Sequence, residues 1–195
     1  METVVIGIGD GRVSDRPDTV LVTYALGSCI AVAAWDPVRK VGGLLHFLLP
    51  EAAPDERTPE KACRYGDTGT PWLFRSLYAQ GAVKSRLVVT LAGGANVVDD
   101  AGIFNIGKRN ITLVRRVLWK AGVAVHAEAV GGAISRTVGL EVSTGRFWVR
   151  EPGAAAKDLV APREGEKPAG QQGLCFVAKP RVLPPSGLVL EWERK

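Results

Sequence analysis

Short apolar blocks separated by glycine, proline and charge mark most of this chain as strand and turn. Val4 to Ile8 reads as a first short strand, with glycines at 7 and 9. Val20 to Tyr24 is β-branched and apolar, a second strand that breaks at Leu26-Gly27-Ser28. Ile30 to Trp35 is almost wholly apolar, the pattern of a strand covered on both faces. Asp36-Pro37 opens a turn that runs to Lys40. Val41 to Leu49 then returns as the antiparallel neighbour and stops at Pro50.

Two stretches switch to helical spacing. Thr70-Pro71 reads as a cap and first position, Leu73, Leu77 and Trp72 turn inward, and Gly81 closes the helix. Asn110 opens the second helix, in which Ile111, Val114 and Leu118 recur on one face until Gly122. Between and after the helices, Arg86 to Leu91 and Val123 to Ala129 read as strands ending at Gly93-Gly94 and Gly131-Gly132. Arg136 to Val142 and Arg146 to Arg150 form a hairpin around Ser143-Thr144-Gly145. Residues 51–65 are proline-rich and charged, a surface loop. Periodicity fades after Glu151. The chain therefore divides into a domain at 1–150 and a Pro/Gly/Ala-rich extension at 151–195, expected to be flexible, with apolar patches at Leu174–Val177 and Leu188–Trp192.

Composition narrows the classes without naming one. A chain of 195 residues supports one substantial core, and 46% hydrophobic with 23% charged residues is ordinary for a soluble globular protein. The net charge of +5 comes from scattered rather than clustered basic residues, which predicts a solvated mixed surface and no nucleic-acid partner. There is no basic leader segment and no apolar run of membrane-spanning length, so no membrane insertion is expected. Cysteines at 29, 63 and 175 are odd in number and far apart, which argues against a disulfide framework and for a reducing cytoplasm. Two histidines and no Cys-x-x-Cys argue against a structural zinc site, and no cofactor motif is complete.

The candidate chemistry lies at Cys29 and His46. A thiol becomes a strong nucleophile when something takes its proton, and histidine is the usual agent. Gly27-Ser28 lets the backbone turn sharply and present the Cys29 thiol with its own N–H. His46 sits in the apolar run Leu44-Leu45-His46-Phe47-Leu48-Leu49, where an imidazole has no packing reason to be. Taken singly, each residue reads as well as a core residue: free cysteine packs as a small hydrophobe, and a buried histidine needs only one carbonyl. Strand pairing at about 3.3 Å per residue lets the hairpin bring them together. The base also needs an orienter, for which Thr23, Asp36 and Asp67 are placed by position. Ser28 is no nucleophile, since Gly27-Ser28-Cys29 is not Gly-x-Ser-x-Gly and a strand follows it. The basic run from Asn105 to Asn110 suits an anion at a helix start and suits a capped helix equally well. His126, with Glu128 on the same strand face, is expected to be structural.

Several segments together resemble the chemoreceptor glutamine deamidase family, CheD, over roughly residues 3–150. They are Leu26-Gly-Ser-Cys29, Asp36-Pro37, Gly42-Gly43…His46-Phe-Leu-Leu-Pro50, Arg64-Tyr65-x-Asp67, Ala92-Gly93-Gly94-Ala95, Asn105-Ile-Gly107-x-Arg109-Asn110 and Gly131-Gly132-x-x-x-Arg136. The resemblance implies an α+β fold, a three-layered α/β/β sandwich related to the catalytic domain of deamidating bacterial toxins. It implies a catalytic triad of Cys29, His46 and Thr23, with Gly27 and Ser28 supporting the turn and the oxyanion. It implies conversion of selected glutamines of methyl-accepting chemotaxis receptors to glutamate, through a cysteine thioester and with release of ammonia. No metal or cofactor is needed for that chemistry. A CheC-type phosphatase is the second partner it implies, and a monomer the expected state. The chain departs from the family pattern at Gly69, at Tyr24-Ala25 and in its long extension. A non-catalytic chemotaxis adaptor, using the same cleft to bind receptor or a CheC-type phosphatase, is the alternative from a different class. An enzyme needs a Cys29 thiol reactive near neutral pH and dependent on His46; an adaptor needs neither.

Overall fold

The computed structural model describes residues 1–96 and 105–162. The strands are β1 (Glu2–Val5), β2 (Asp10–Ser14), β3 (Thr19–Leu26), β4 (Ile30–Asp36) and β5 (Val41–Phe47). Helix α1 (Gly66–Ala79), β6 (Val88–Gly93) and helix α2 (Ile106–Lys120) follow. The described part closes with β7 (Ala127–Val130), β8 (Arg136–Glu141), β9 (Phe147–Arg150) and β10 (Lys157–Val160). Short 3₁₀ turns occupy Pro54–Glu56, Pro59–Arg64 and Lys84–Arg86.

Every residue of β4 and β5 is buried, which makes their sheet the middle layer. That sheet runs β2-β5-β4-β6-β7, and the other runs β1-β3-β8-β9-β10. Alternation along β4 splits the core in two. Ile30, Val32 and Ala34 pack with Leu73 and Leu77 of α1 and Val114 and Leu118 of α2. Ala31, Ala33 and Trp35 pack with Leu21, Val138, Leu140 and Phe147 of the second sheet. The layers are therefore helices, sheet, sheet, which is the α/β/β sandwich that the resemblance implies. Trp35 Nε1 donates to the Val142 carbonyl at 2.8 Å and ties the two sheets together.

Six elements differ from the pattern read along the chain: β1 spans Glu2–Val5 rather than Val4–Ile8, β7 starts at Ala127 rather than Val123, and four others depart further. Strand β2 escaped that pattern because Asp10-Gly-Arg-Val-Ser14 carries one apolar residue; pairing with β5 makes it a strand. Helix α1 starts at Gly66 rather than at Pro71 after a Thr70 cap, so Pro71 falls inside it. Helix α2 starts at Ile106 rather than Asn110, and Asn110 becomes a buried interior residue. Lys157–Val160, within the segment read as extension, pairs antiparallel with β9, because Leu159 and Val160 pack onto the inter-sheet core. Residues 163–195, with Cys175 and both apolar patches, lie outside the described residues. No helix among the described residues is long and apolar enough to cross a membrane.

Candidate active site

The β4–β5 ladder decides which face each residue of the hairpin takes. Ala31 lies opposite His46 and Ile30 opposite Phe47. Leu45 and Phe47 point to the helix layer, while Leu44 and Leu48 belong to the inter-sheet core, so His46 points between the sheets. Cys29 stands two residues before Ala31 and packs in that same inter-sheet core. It directly precedes the ladder's first pair, Ile30 with Phe47, and shares the inter-sheet core onto which His46 faces.

Thr23 reaches the histidine from the opposite sheet. Its Oγ1 lies 2.7 Å from His46 Nδ1 and donates to the Ile6 carbonyl at 2.8 Å. A hydroxyl has one proton, and the Ile6 carbonyl can only accept it. Oγ1 is then the acceptor toward the ring, so Nδ1 carries the hydrogen. The other ring nitrogen, Nε2, is left bare as a base. Nε2 is buried and has no partner among the described residues. The imidazole is 1% exposed and Thr23 0%. The structure thus joins Thr23 to His46 directly and sets Cys29 on the same face, without a hydrogen bond between Sγ and Nε2. Such contacts often tighten only once substrate is bound.

Burial governs the electrostatics. It lowers the His46 pKa from 6.5 to about 4, so the imidazole is neutral at physiological pH. Burial also pushes the Cys29 thiol up, partly offset by its own backbone N–H. The resting pair is a neutral thiol beside a neutral imidazole. Burial therefore disfavours a standing thiolate near neutral pH, and reactivity of Cys29 there depends on a base that takes its proton.

Gly27 and Ser28 hold the turn before Cys29 by their carbonyls. The Ala95 N–H donates to Gly27 O at 2.8 Å, and the Gly94 N–H to Cys29 O at 2.7 Å. The Asn110 side chain donates to Ser28 O at 2.9 Å. Close approach at this point requires glycine: Gly93 has φ +106, and a Cβ there would strike the Cys29 carbonyl.

The remaining candidates serve the fold. Asp36 does not orient His46: its carboxylate takes Arg86 at 2.7 Å and the N–H groups of Val38, Arg39 and Val83. Asp67 accepts from the Ala52 N–H and pairs with Arg57. Nδ1 of His126 accepts from the Val89 N–H at 3.1 Å, and Glu128 pairs with Arg115, so both are structural. Cys63 sits in a 3₁₀ turn against the helix-side core, its thiol raised to about 11 chiefly by burial. No group of three or more acidic, histidine or cysteine side chains suited to a metal occurs among the described residues. Reading the sequence alone missed Ile6, whose part is played by a backbone carbonyl, and Asn110, whose helix-start position disguised it.

Two sheets under a helical layer, with a threonine-bound histidine and a cysteine buried between the sheets, define the class as an α/β/β sandwich. The comparisons name the family. Residues 48–151 match the family described as CheD chemotactic sensory transduction. A protein of Solibacter usitatus named probable chemoreceptor glutamine deamidase CheD is 45% identical over 168 residues, covering 85% of this chain and 99% of that protein. One of Anaeromyxobacter dehalogenans, named probable chemoreceptor glutamine deamidase CheD 2, is 48% identical over 83% of this chain and 99% of its own length. A solved structure, the hypothetical protein YfiH of Bacillus licheniformis, is 17% identical at TM-score 0.37, covering 64% of this chain and 50% of that one. At that distance the sandwich stands on its own strand order. This chain belongs to the CheD family.

Proposed function

We propose that this chain is a chemoreceptor glutamine deamidase with Cys29 as nucleophile, His46 as general base and acid, and Thr23 as the residue that orients His46. The observation that carries the reading is the buried Thr23–His46 hydrogen bond, which leaves Nε2 bare on the face that Cys29 shares. The names of the curated relatives supply the substrate class.

The chemistry follows from the proton inventory. Nε2 takes the Cys29 proton as Sγ attacks the side-chain amide carbon of a glutamine. Backbone N–H groups of the Ser28–Cys29 turn hold the developing oxyanion. The imidazolium, whose Nδ1–H stays on Thr23, returns a proton to the departing ammonia. The neutral imidazole then takes a proton from water, which attacks the thioester, and returns it to the Cys29 sulfur as the glutamate leaves. A buried imidazolium is costly, which speeds the return of the proton to the leaving group. The proposal places the protein in the cytoplasm as a monomer, with a CheC-type phosphatase as a second partner.

The test is ammonia release and a one-dalton mass gain on a receptor cytoplasmic fragment, with Cys29→Ala as the control. Activity that disappears in Cys29→Ala is expected. Unchanged receptor in the presence of the native chain sinks the reading and favours a binding adaptor.

A further inference from the structure

Asn110 is fully buried on α2, yet its side chain bonds to nothing on that helix. Nδ2 donates to two carbonyls that belong to the candidate site, Ser28 O at 2.9 Å and Leu48 O at 3.0 Å. Both acceptors are carbonyls, so the amide orientation is fixed: only the NH2 end suits them. Asn110 therefore ties the turn before Cys29 to the residue two positions past His46.

The Ser28 contact has a directional consequence. Ser28 C=O and Cys29 N–H belong to one trans peptide, so they point in opposite directions. A donor that holds the carbonyl toward α2 aims the Cys29 N–H away from α2. The Ala95 N–H does the same through Gly27 O for the N–H of Ser28. Among the described residues no backbone carbonyl accepts from either N–H, and the Cys29 N–H faces only its own sulfur. Two such donors beside a thiol make an oxyanion site. The anchor itself is firm, because α2 presses on the segment that carries Ala95: a Cβ on Gly107 would lie 2.5 Å from Gly94 O.

We propose that Asn110 is a positioning residue that locks the Ser28–Cys29 peptide so that the Cys29 N–H serves as an oxyanion donor. The inference rests on Cys29 as nucleophile but not on the receptor as substrate. Asn110 touches no reacting atom; it acts through the peptide it holds.

Two reagents separate this role from a general one. Acylation by p-nitrophenyl acetate forms the Cys29 S–C bond through an oxyanion and expels p-nitrophenolate, the thiol proton passing to His46 and then to solvent. Alkylation by iodoacetamide displaces iodide and forms no oxyanion. Both need only the native full chain, with Cys29→Ala as the blank. In Asn110→Asp, which keeps the volume and loses both donors, Cys29 acylation should fall about 100-fold while alkylation stays within about threefold. Asn110→Leu fills the same space without burying a charge and carries the comparison if Asn110→Asp does not fold. Equal losses in both reactions would mean that Asn110 merely holds the fold or the thiol, and would overturn the proposal; so would no loss in either. A native Cys29 inert to both reagents overturns this proposal together with the nucleophile it rests on. A native Cys29 that acylates but leaves receptor fragments unchanged sinks the substrate assignment alone.

Discussion

The Thr23 hydroxyl sits 2.7 Å from His46 Nδ1 while giving its own proton to the Ile6 carbonyl at 2.8 Å. One proton on one oxygen thus selects the histidine tautomer across the gap between two sheets. Thr23→Val keeps the shape and removes that selection. It should lower kcat on a receptor fragment roughly 100-fold with little change in KM, whereas Thr23→Ser should stay within about tenfold. A Thr23→Val enzyme as fast as the native one would remove Thr23 from the mechanism.

Activity should survive acid further than an ordinary histidine allows. With the His46 pKa lowered to about 4 by burial, the base stays unprotonated throughout the range from pH 5 to 7. The acid limb of kcat/KM should therefore fall near pH 4. Alkylation of Cys29, governed by a thiol that burial pushes above its usual value, should still be rising above pH 9. An acid limb centred near pH 6.5 would contradict the buried neutral imidazole.

The same burial links stability to pH. Below pH 6.5 the unfolded chain protonates His46 while the folded one does not, so stability is complete above that pH and falls as pH drops toward about 4. Between pH 7 and pH 5 the loss from this residue should be about 2 kcal/mol. Urea titrations of the native chain and His46→Asn at both pH values measure it. The variant should show a shallower slope, and equal slopes would rule the linkage out.

Asp36 anchors the far end of β4. Burial alone would raise its carboxyl, but Arg86 and the N–H groups of Val83, Arg39 and Val38 outweigh that and leave it lowered. Asp36→Asn should cost about 2–3 kcal/mol in urea unfolding, because it leaves Arg86 and the backbone donors poorly matched. Deamidation per folded molecule should be unchanged. A selective loss of activity would mean that Asp36 reaches the site after all.

Ala25 lies in the left-handed region at φ 54, where β3 breaks register with β8 between Thr23 and Leu26. Relief of that strain should make Ala25→Gly more stable by about 1 kcal/mol. Thermal unfolding decides it; a destabilised Ala25→Gly would show that the Ala25 methyl packs usefully despite the strain.

Much of the fold was legible because burial leaves a plain pattern. The wholly apolar run Ile30–Trp35 marks a central strand, and it is one. The hairpin Arg136–Arg150 and both helices were visible from turn residues and spacing. Polar β2 and the late strand β10 were not, since each is a strand only through its partner. Helix starts slipped by about a turn at each helix because neither start has a side-chain cap to mark it.

Within the site, the sequence by itself determined which side chains have the right chemistry: a thiol after a tight turn, an imidazole in an apolar run, and a threonine on the preceding strand. It left Thr23, Asp36 and Asp67 equal as orienters on their own residues, and only the resemblance separated them. Tertiary structure decided the rest. Of the three, Thr23 is the one hydrogen-bonded to His46, because β3 lies across from β5 in the other sheet, while Asp36 and Asp67 are spent on Arg86 and Arg57. Asn110 and the Ile6 carbonyl enter only in three dimensions. Hydrogen bonds between layers join residues far apart along the chain, and local periodicity carries no record of them.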